Sequence, residues 1–231
     1  MIYITGDTHG EQSRMKDIFS NSGITWTTDD YLIVCGDFGY IFTGKEYEET
    51  FLNDLEKLCA TILFIDGNHE NFDLLCSHPL EMWNGGKIHR IRRNVIHLMR
   101  GQVFTIEGST FFTMGGGFSI DKYLRQENIS WWPQEMPSKE EYDEAVVNLK
   151  KHGNKVDYIL THTVPTETLI RLNLRSTKEL PFNTFLDYIQ DITEYKHWYF
   201  GHLHRDGYIW RNQTGLYFDV ITIDVGDIPR T

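Results

Sequence analysis

The sequence predicts an α/β fold built of two packed β-sheets with helices on their outer faces. Three observations predict it. The first third alternates short β-branched runs with amphipathic stretches, the mark of a parallel sheet. The middle third changes to closely spaced strand-like runs joined by short turns. The last third returns to helices followed by strands.

Taken in order, the strand candidates of the first third are Ile2–Thr5, Tyr31–Cys35 and Thr61–Ile65. Helical candidates cover 12–22 and 46–60, and in the second Phe51, Leu52, Leu55 and Leu58 recur at helical spacing. Runs at 94–99, Gln102–Ile106 and 110–114 predict an antiparallel meander. A polar, irregular stretch follows over 119–137, then a helix over 139–152 and the strand Tyr158–Thr161. A helix over 182–194 precedes strands at His197–Phe200, 207–211 and 216–223. No repeat, low-complexity segment or Pro/Gly/Ser linker divides the 231 residues, so residues 1–231 are expected to form one domain.

Composition narrows the class. Hydrophobic residues make up 40% and charged residues 24%, ordinary for a globular protein. No run approaches the roughly 20 apolar residues that span a bilayer, and Met1–Asp7 carries neither a basic nor an apolar leader. Cys35, Cys59 and Cys76 are odd in number and irregular in spacing, which argues against a disulfide framework and for a reducing cytoplasm. The formal charge of −11 disfavours non-specific binding to nucleic acid or anionic membranes. It has a second reading, because carboxylates gathered around metal ions count as unbalanced charge when the ions are left out.

Asp, Asn and His cluster behind the strands. Asp7 and His9 follow the first strand, Asp37 the second, and Asn68 and His69 the third. His162 follows Tyr158–Thr161, and His202 and His204 follow His197–Phe200. The carboxyl ends of strands are where ligands bind in open α/β sheets. Asp-x-His and His-x-His spacing puts both side chains of each pair on one side of an extended segment. A mixed oxygen and nitrogen donor set without thiolate suits Mn²⁺, Fe or Zn²⁺. Asp37 is the candidate carboxylate to bridge two ions. Glycines adjoin these residues, as suits turns where backbone approaches a ligand.

The blocks read Gly6-Asp7-Thr8-His9-Gly10, Gly36-Asp37, Gly67-Asn68-His69-Glu70, Thr161-His162-Thr163 and Gly201-His202-Leu203-His204. In this order they resemble the calcineurin-like metallophosphoesterase superfamily, over the span from Asp7 to His204. The resemblance implies the metallophosphoesterase-like αββα sandwich and a dinuclear metal-dependent phosphoesterase. Its cofactors would be two divalent or trivalent ions (Mn²⁺, Fe or Zn²⁺). One ion would be held by Asp7, His9, Asp37 and His204, the other by Asp37, Asn68, His162 and His202. A metal-bridging hydroxide would attack phosphorus, with His69 assisting the leaving group. The substrate would be a phosphorylated small molecule or nucleotide, as monoester or diester. A nuclease or a nucleotide or dinucleoside-polyphosphate hydrolase is the alternative, and a non-catalytic scaffold on the same fold the third reading.

Two positions depart from the better-known form of the second block, Gly-Asp-x-x-Asp-Arg. Here Tyr40 stands for the acid and Ile41 for the arginine. Glu70 is a candidate to replace the acid. Lys122, Arg125 and Arg205 are candidates to grip phosphate, with Asn68 beside them on the substrate side. Residues 119–133, with Lys122, Arg125, Trp131 and Trp132, read either as a binding loop or as core packing. The basic run Lys87, His89, Arg90, Arg92 and Arg93 reads as a solvated face beside a strand, with nucleic-acid contact as its alternative. His78, His89, His97, His152 and His197 read as structural histidines.

Overall fold

Strands β1 (Ile2–Thr5), β2 (Tyr31–Cys35) and β3 (Thr61–Ile65) fall where the sequence places them. The computed structural model describes residues 1–174 and 177–223. Helix α1 (Gln12–Lys16) continues into a π-helical turn over Asp17–Asn21, and α2 (Glu46–Glu56) ends short of the expected 60. Then come α3 (Phe72–Ser77), β4 (Leu80–Trp83), β5 (Gly86–Arg92), β6 (Val95–Leu98), β7 (Gln102–Ile106) and β8 (Ser109–Met114). The rest is α4 (Lys139–Lys151), β9 (Tyr158–Thr161), α5 (Thr166–Arg171), α6 (Leu180–Ile192), β10 (His197–Phe200), β11 (Gly207–Trp210), β12 (Gln213–Gly215) and β13 (Ile221–Ile223). Among the described residues no helix is long and apolar enough to cross a membrane.

The strands form two sheets, in the orders β13-β1-β2-β3-β6-β5-β4 and β11-β12-β10-β9-β8-β7. Each has a parallel centre: β1, β2, β3 and β6 in the first, β8, β9, β10 and β12 in the second. Strands buried on both faces need apolar side chains in both directions. In Tyr31–Cys35, Ile33 and Cys35 point between the sheets, packing with Leu160 and Tyr199, while Leu32 and Val34 pack outward against α2. The outer face of the second sheet is covered by α4, α5 and α6 through Leu149, Leu169, Phe182 and Leu186. The architecture is a two-sheet α/β sandwich flanked by helices.

Three expectations need correction. The runs at 94–99, 102–106 and 110–114 are not one meander. β6 pairs with β3 and β5 in the first sheet, while β7 and β8 form a hairpin that opens the second. Residues 216–223 are not one strand either. The Asp206 carboxylate accepts hydrogen bonds from the backbone N–H of Tyr217, Phe218 and Asp219, and the turn it holds separates β12 from β13, which lie in different sheets. The basic run from Lys87 is itself β5, covered by the edge strand β4. Three of its charges are paired within the chain, Lys87 with Glu144, Arg90 with Glu81 and Arg92 with Glu49.

Asp66, just past β3, is buried and takes two hydrogen bonds from the Arg100 guanidinium (2.8 and 2.6 Å) and one contact from His97 (3.1 Å). Arg100 also reaches Glu141 on α4 (3.1 Å) and the carbonyl of Gln134. The pair ties the root of the Asn68 loop to the second sheet's helix layer. Burial alone would raise the pKa of Asp66, but Arg100 and His97 hold it well below the carboxylate range. Removing one partner of such a pair leaves a buried charge uncompensated, so Arg100→Ala should lower stability by about 3–5 kcal/mol in urea unfolding. The native pKa lies below the unfolded value of about 3.9, so this contribution is complete above that pH and is lost as pH falls below it. The gap between wild type and variant should therefore close in acid; a gap under about 1 kcal/mol at neutral pH contradicts the assignment.

Candidate metal centre

The carboxyl ends of the parallel strands from both sheets open on one edge of the sandwich. The segment after β1 folds back on the segment after β2: the N–H groups of Thr8 and His9 donate to the Asp37 carbonyl (3.1 and 2.8 Å), and that of Gly10 to the Phe38 carbonyl (3.0 Å). This ladder requires left-handed backbone. His9 has φ 49°, Asp37 48°, His202 63° and His204 47°. Such conformations are costly for residues with a Cβ, and four of the predicted site residues adopt them. Glycine serves a second purpose at Gly67 and Gly201, where any Cβ would collide with Asp37 Oδ1 and Asp7 Oδ1 respectively.

Asp7 and Asp37 are 2% and 1% exposed, side by side between the sheets. Asp7 Oδ1 accepts from the N–H of His202 (2.9 Å) and Asp37 Oδ1 from that of His69 (2.7 Å). The remaining oxygens face histidines. Asp7 Oδ2 is fully buried with no hydrogen-bond partner among the described residues, and His204 Nε2 stands 3.1 Å from it. His9 Nε2 and His204 Nε2 approach to 2.9 Å, and His9 Nδ1 lies 3.6 Å from Asp37 Oδ2.

A second convergence lies behind Asp37. His162 is wholly buried, and its Nδ1 lies 2.9 Å from the carbonyl of Cys35. Donation from Nδ1–H to that carbonyl leaves the Nε2 lone pair pointing at Asn68 Oδ1 (3.1 Å) and Asp37 Oδ1 (3.3 Å). The Asn68 amide is oriented by donation from Nδ2 to Ser119 Oγ (3.0 Å), which turns its oxygen inward. Three acceptors so close repel unless a proton or a cation lies among them. Burial opposes protonation of His162, yet Asp37 and Asp7 raise its pKa to about 10, while Asp37, pushed up by burial, is held far below the carboxylate range by His162. The ring of His202 lies 4.8 Å from that of His162, with Nε2 3.4 Å from Glu179.

These atoms could hold metal ions. Asp7, His9 and His204 offer ligand atoms within 4.8 Å of one another, as do Asp7, Asp37 and His162. So do His9, Asp37 and His69, which brings His69 to the rim of the same cluster. A cleft of about 530 Å³ opens over Asp37, Asn68, His69, His202 and His204, walled by Phe118, Ile120 and Leu203.

The substrate-side candidates separate. The Arg125 guanidinium reaches His69, with Nη1 2.9 Å from Nδ1 and Nη2 3.3 Å from Nε2, and is itself anchored by Asp121 (2.8 Å) and the carbonyl of Ser130. Lys122 is engaged elsewhere, paired with buried Glu135 (2.8 Å) and lying over the rings of Phe118 and Trp131. Arg205 is exposed beside His204. Glu70 does not orient His69: its carboxylate accepts from the N–H of Phe38 (2.7 Å) and Gly39 (3.3 Å), bracing the turn after Asp37. Both readings of the loop at 119–133 hold in part, since Trp132 is core, its indole donating to Asp73, while Arg125 points into the site.

Sequence reasoning missed Glu179. It lies at the start of α6, buried, receiving the N–H of Phe118 (2.9 Å) and the hydroxyl of Thr163 (3.0 Å) while facing His202. An acid before Leu-Pro at a helix start reads as a helix-dipole residue, so nothing local singled it out.

The profile of the calcineurin-like phosphoesterase family matches residues 1–206. No curated protein matches the chain. Among solved structures, a candidate 5′-nucleotidase of Staphylococcus aureus, crystallised with α-ketoglutarate, is 12% identical with a TM-score of 0.47. The match covers 94% of this chain and 48% of that one, so the chain spans about half the length of that protein.

Gly67 supplies no donor atom, yet Gly67→Ala should cost the protein most of its bound metal by displacing Asp37. Elemental analysis against wild type checks this. Full metal content in a folded Gly67→Ala variant would contradict the close approach.

Proposed function

This chain belongs to the calcineurin-like phosphoesterase family, and from that premise we propose that it hydrolyses a phosphomonoester or phosphodiester with two metal ions. The observation that carries the reading is the pair of clusters flanking Asp37, one where His204 faces buried Asp7 Oδ2 and one where His162 Nε2 faces the oxygens of Asn68 and Asp37. Asp7, His9, Asp37 and His204 would hold one ion, and Asp37, Asn68, His162 and His202 the other. When bound, the ions would supply Lewis acidity toward the phosphoryl oxygens and lower the pKa of a water.

The chain's own groups do the rest. Asp37 is fixed between the clusters by the His69 amide, which would present one positioned carboxylate to both ions. His69 stands at the cleft, half-buried, with burial and the Arg125 charge lowering its pKa against the pull of Asp37. Arg125 always carries charge, so it donates, and the shorter contact makes His69 Nδ1 the acceptor. The guanidinium also lies 3.3 Å from Nε2, so it fixes the position of the whole ring at the cleft. In this reading Arg125 takes over the tasks of the acid and arginine replaced by Tyr40 and Ile41: it orients the histidine and brings a fixed positive charge to the phosphoryl group. A scaffold role is disfavoured because every ligand position is filled.

The test is hydrolysis of p-nitrophenyl phosphate and bis-p-nitrophenyl phosphate by metal-loaded protein. Turnover of neither, with metals bound, would overturn the reading. His69→Ala should keep its metals and lose on the order of 10²–10⁴-fold in rate, the usual contribution of a general acid. Arg125→Ala should raise KM or lower kcat/KM with metal content unchanged, and Arg125→Lys should recover only part, since an ammonium cannot reproduce the fork. Arg205→Ala is the exposed control. Wild-type kinetics in Arg125→Ala would return the 119–133 loop to a packing role.

A further inference from the structure

A second cavity, of about 280 Å³, adjoins the candidate metal centre, with His9 and His69 in its lining. Its floor is the chain from Gly39 to Thr43 and its wall the first turns of α2. Four aromatic side chains contribute to the lining: Tyr40 and Phe51, with ring centroids 4.9 Å apart, Phe42 and Tyr47. These walls are set before any ligand arrives. The Glu48 carboxylate gathers the N–H groups of Phe42, Thr43 and Gly44, which fixes the loop and occupies the one acid of the lining. Tyr40 donates its hydroxyl to the Glu11 carbonyl (2.7 Å), and Phe42 meets buried Trp132 edge-on at 5.6 Å. Tyr47 is 54% exposed, its hydroxyl accepting from Thr43 (3.2 Å) and donating to Glu48 (3.4 Å).

Charge and size define the occupant. Among the described residues no lysine or arginine lines this cavity, Arg125 meets His69 outside it, and of the candidate metal ligands only His9 reaches it. A phosphoryl group is thus kept at the metal edge and the uncharged part of a substrate is directed inward. A cavity just below the roughly 300–1,000 Å³ of complete ligand pockets takes one ring system and no more. Flat rings stack on aromatic walls at about 1–3 kcal/mol per base, and the Gln12 carboxamide at the rim offers both a donor and an acceptor to a ring edge. We propose that this cavity is a subsite for a planar, nucleobase-sized aromatic ring in the organic part of the phosphate ester. The inference rests on the phosphoesterase reading for the position of the phosphate.

The test compares binding of inert phosphonate analogues of AMP and of ribose 5-phosphate, by calorimetry on manganese-loaded protein. The two differ only in the base. Wild type should bind the AMP analogue at least about tenfold more tightly, since 1.4 kcal/mol is a factor of ten. Tyr47→Ala should bring that ratio below about threefold, and Tyr47→Phe, which keeps the ring, should preserve it. Equal affinities in wild type, no binding of either analogue, or an unchanged ratio in Tyr47→Ala each overturn the subsite. A preserved ratio with no hydrolysis of any phosphate ester overturns the phosphoesterase reading alone; hydrolysis with equal affinities overturns the subsite alone.

Discussion

Two carboxylates, Asp7 and Asp37, are buried next to each other where the sheets meet, and their mutual repulsion is the constraint around which the edge is organised. Uncompensated charge in such a place costs several kcal/mol per ion. The fold answers with backbone N–H groups from His69 and His202, with His162 pressed between the carboxylates, and with His9 and His204 aimed at the remaining oxygens. The left-handed backbone at His9, Asp37, His202 and His204 belongs to the same solution. Each such position opposes stability by about 1–3 kcal/mol when held in a sparsely populated region. The sandwich sustains that load through three apolar layers: one between the sheets and one under the helices on either side.

The departure in the second block shows how a changed residue reorganises a site. Where an acid and an arginine follow Asp37 in many members of the superfamily, Tyr40 and Ile41 are buried in the outer core. A cation returns from 56 residues beyond His69, on the segment after β8, as Arg125. The space beside the altered turn is walled by aromatic rings in place of charge.

Much of this was legible in the sequence, for physical reasons. Parallel strands buried on both faces give apolar runs with clear ends, so β1, β2, β3, β9 and β10 begin and end as expected. The ligand candidates stood out because the ends of those strands carry Asp, Asn and His instead of ordinary turn residues. Sheet membership was not legible, since the periodicity of β6, β7 and β8 is the same whether they pair with one another or with distant strands. The short helices α3 and α5 carry too few turns for a periodic signal. The tasks of Glu70, Glu179 and Asp206 depend on backbone amides brought near by the fold, and a sequence pattern carries no trace of them.

The central claim is that the charge buried at Asp7 and Asp37 is balanced by two metal ions. Calorimetric titration of chelator-treated protein with Mn²⁺, with thermal unfolding followed in parallel, tests it most directly. The account predicts saturation at two ions per chain and a melting temperature that rises with occupancy, because ions that bind only the native edge stabilise it. Saturation at one ion or none, with no change in melting temperature, would contradict it.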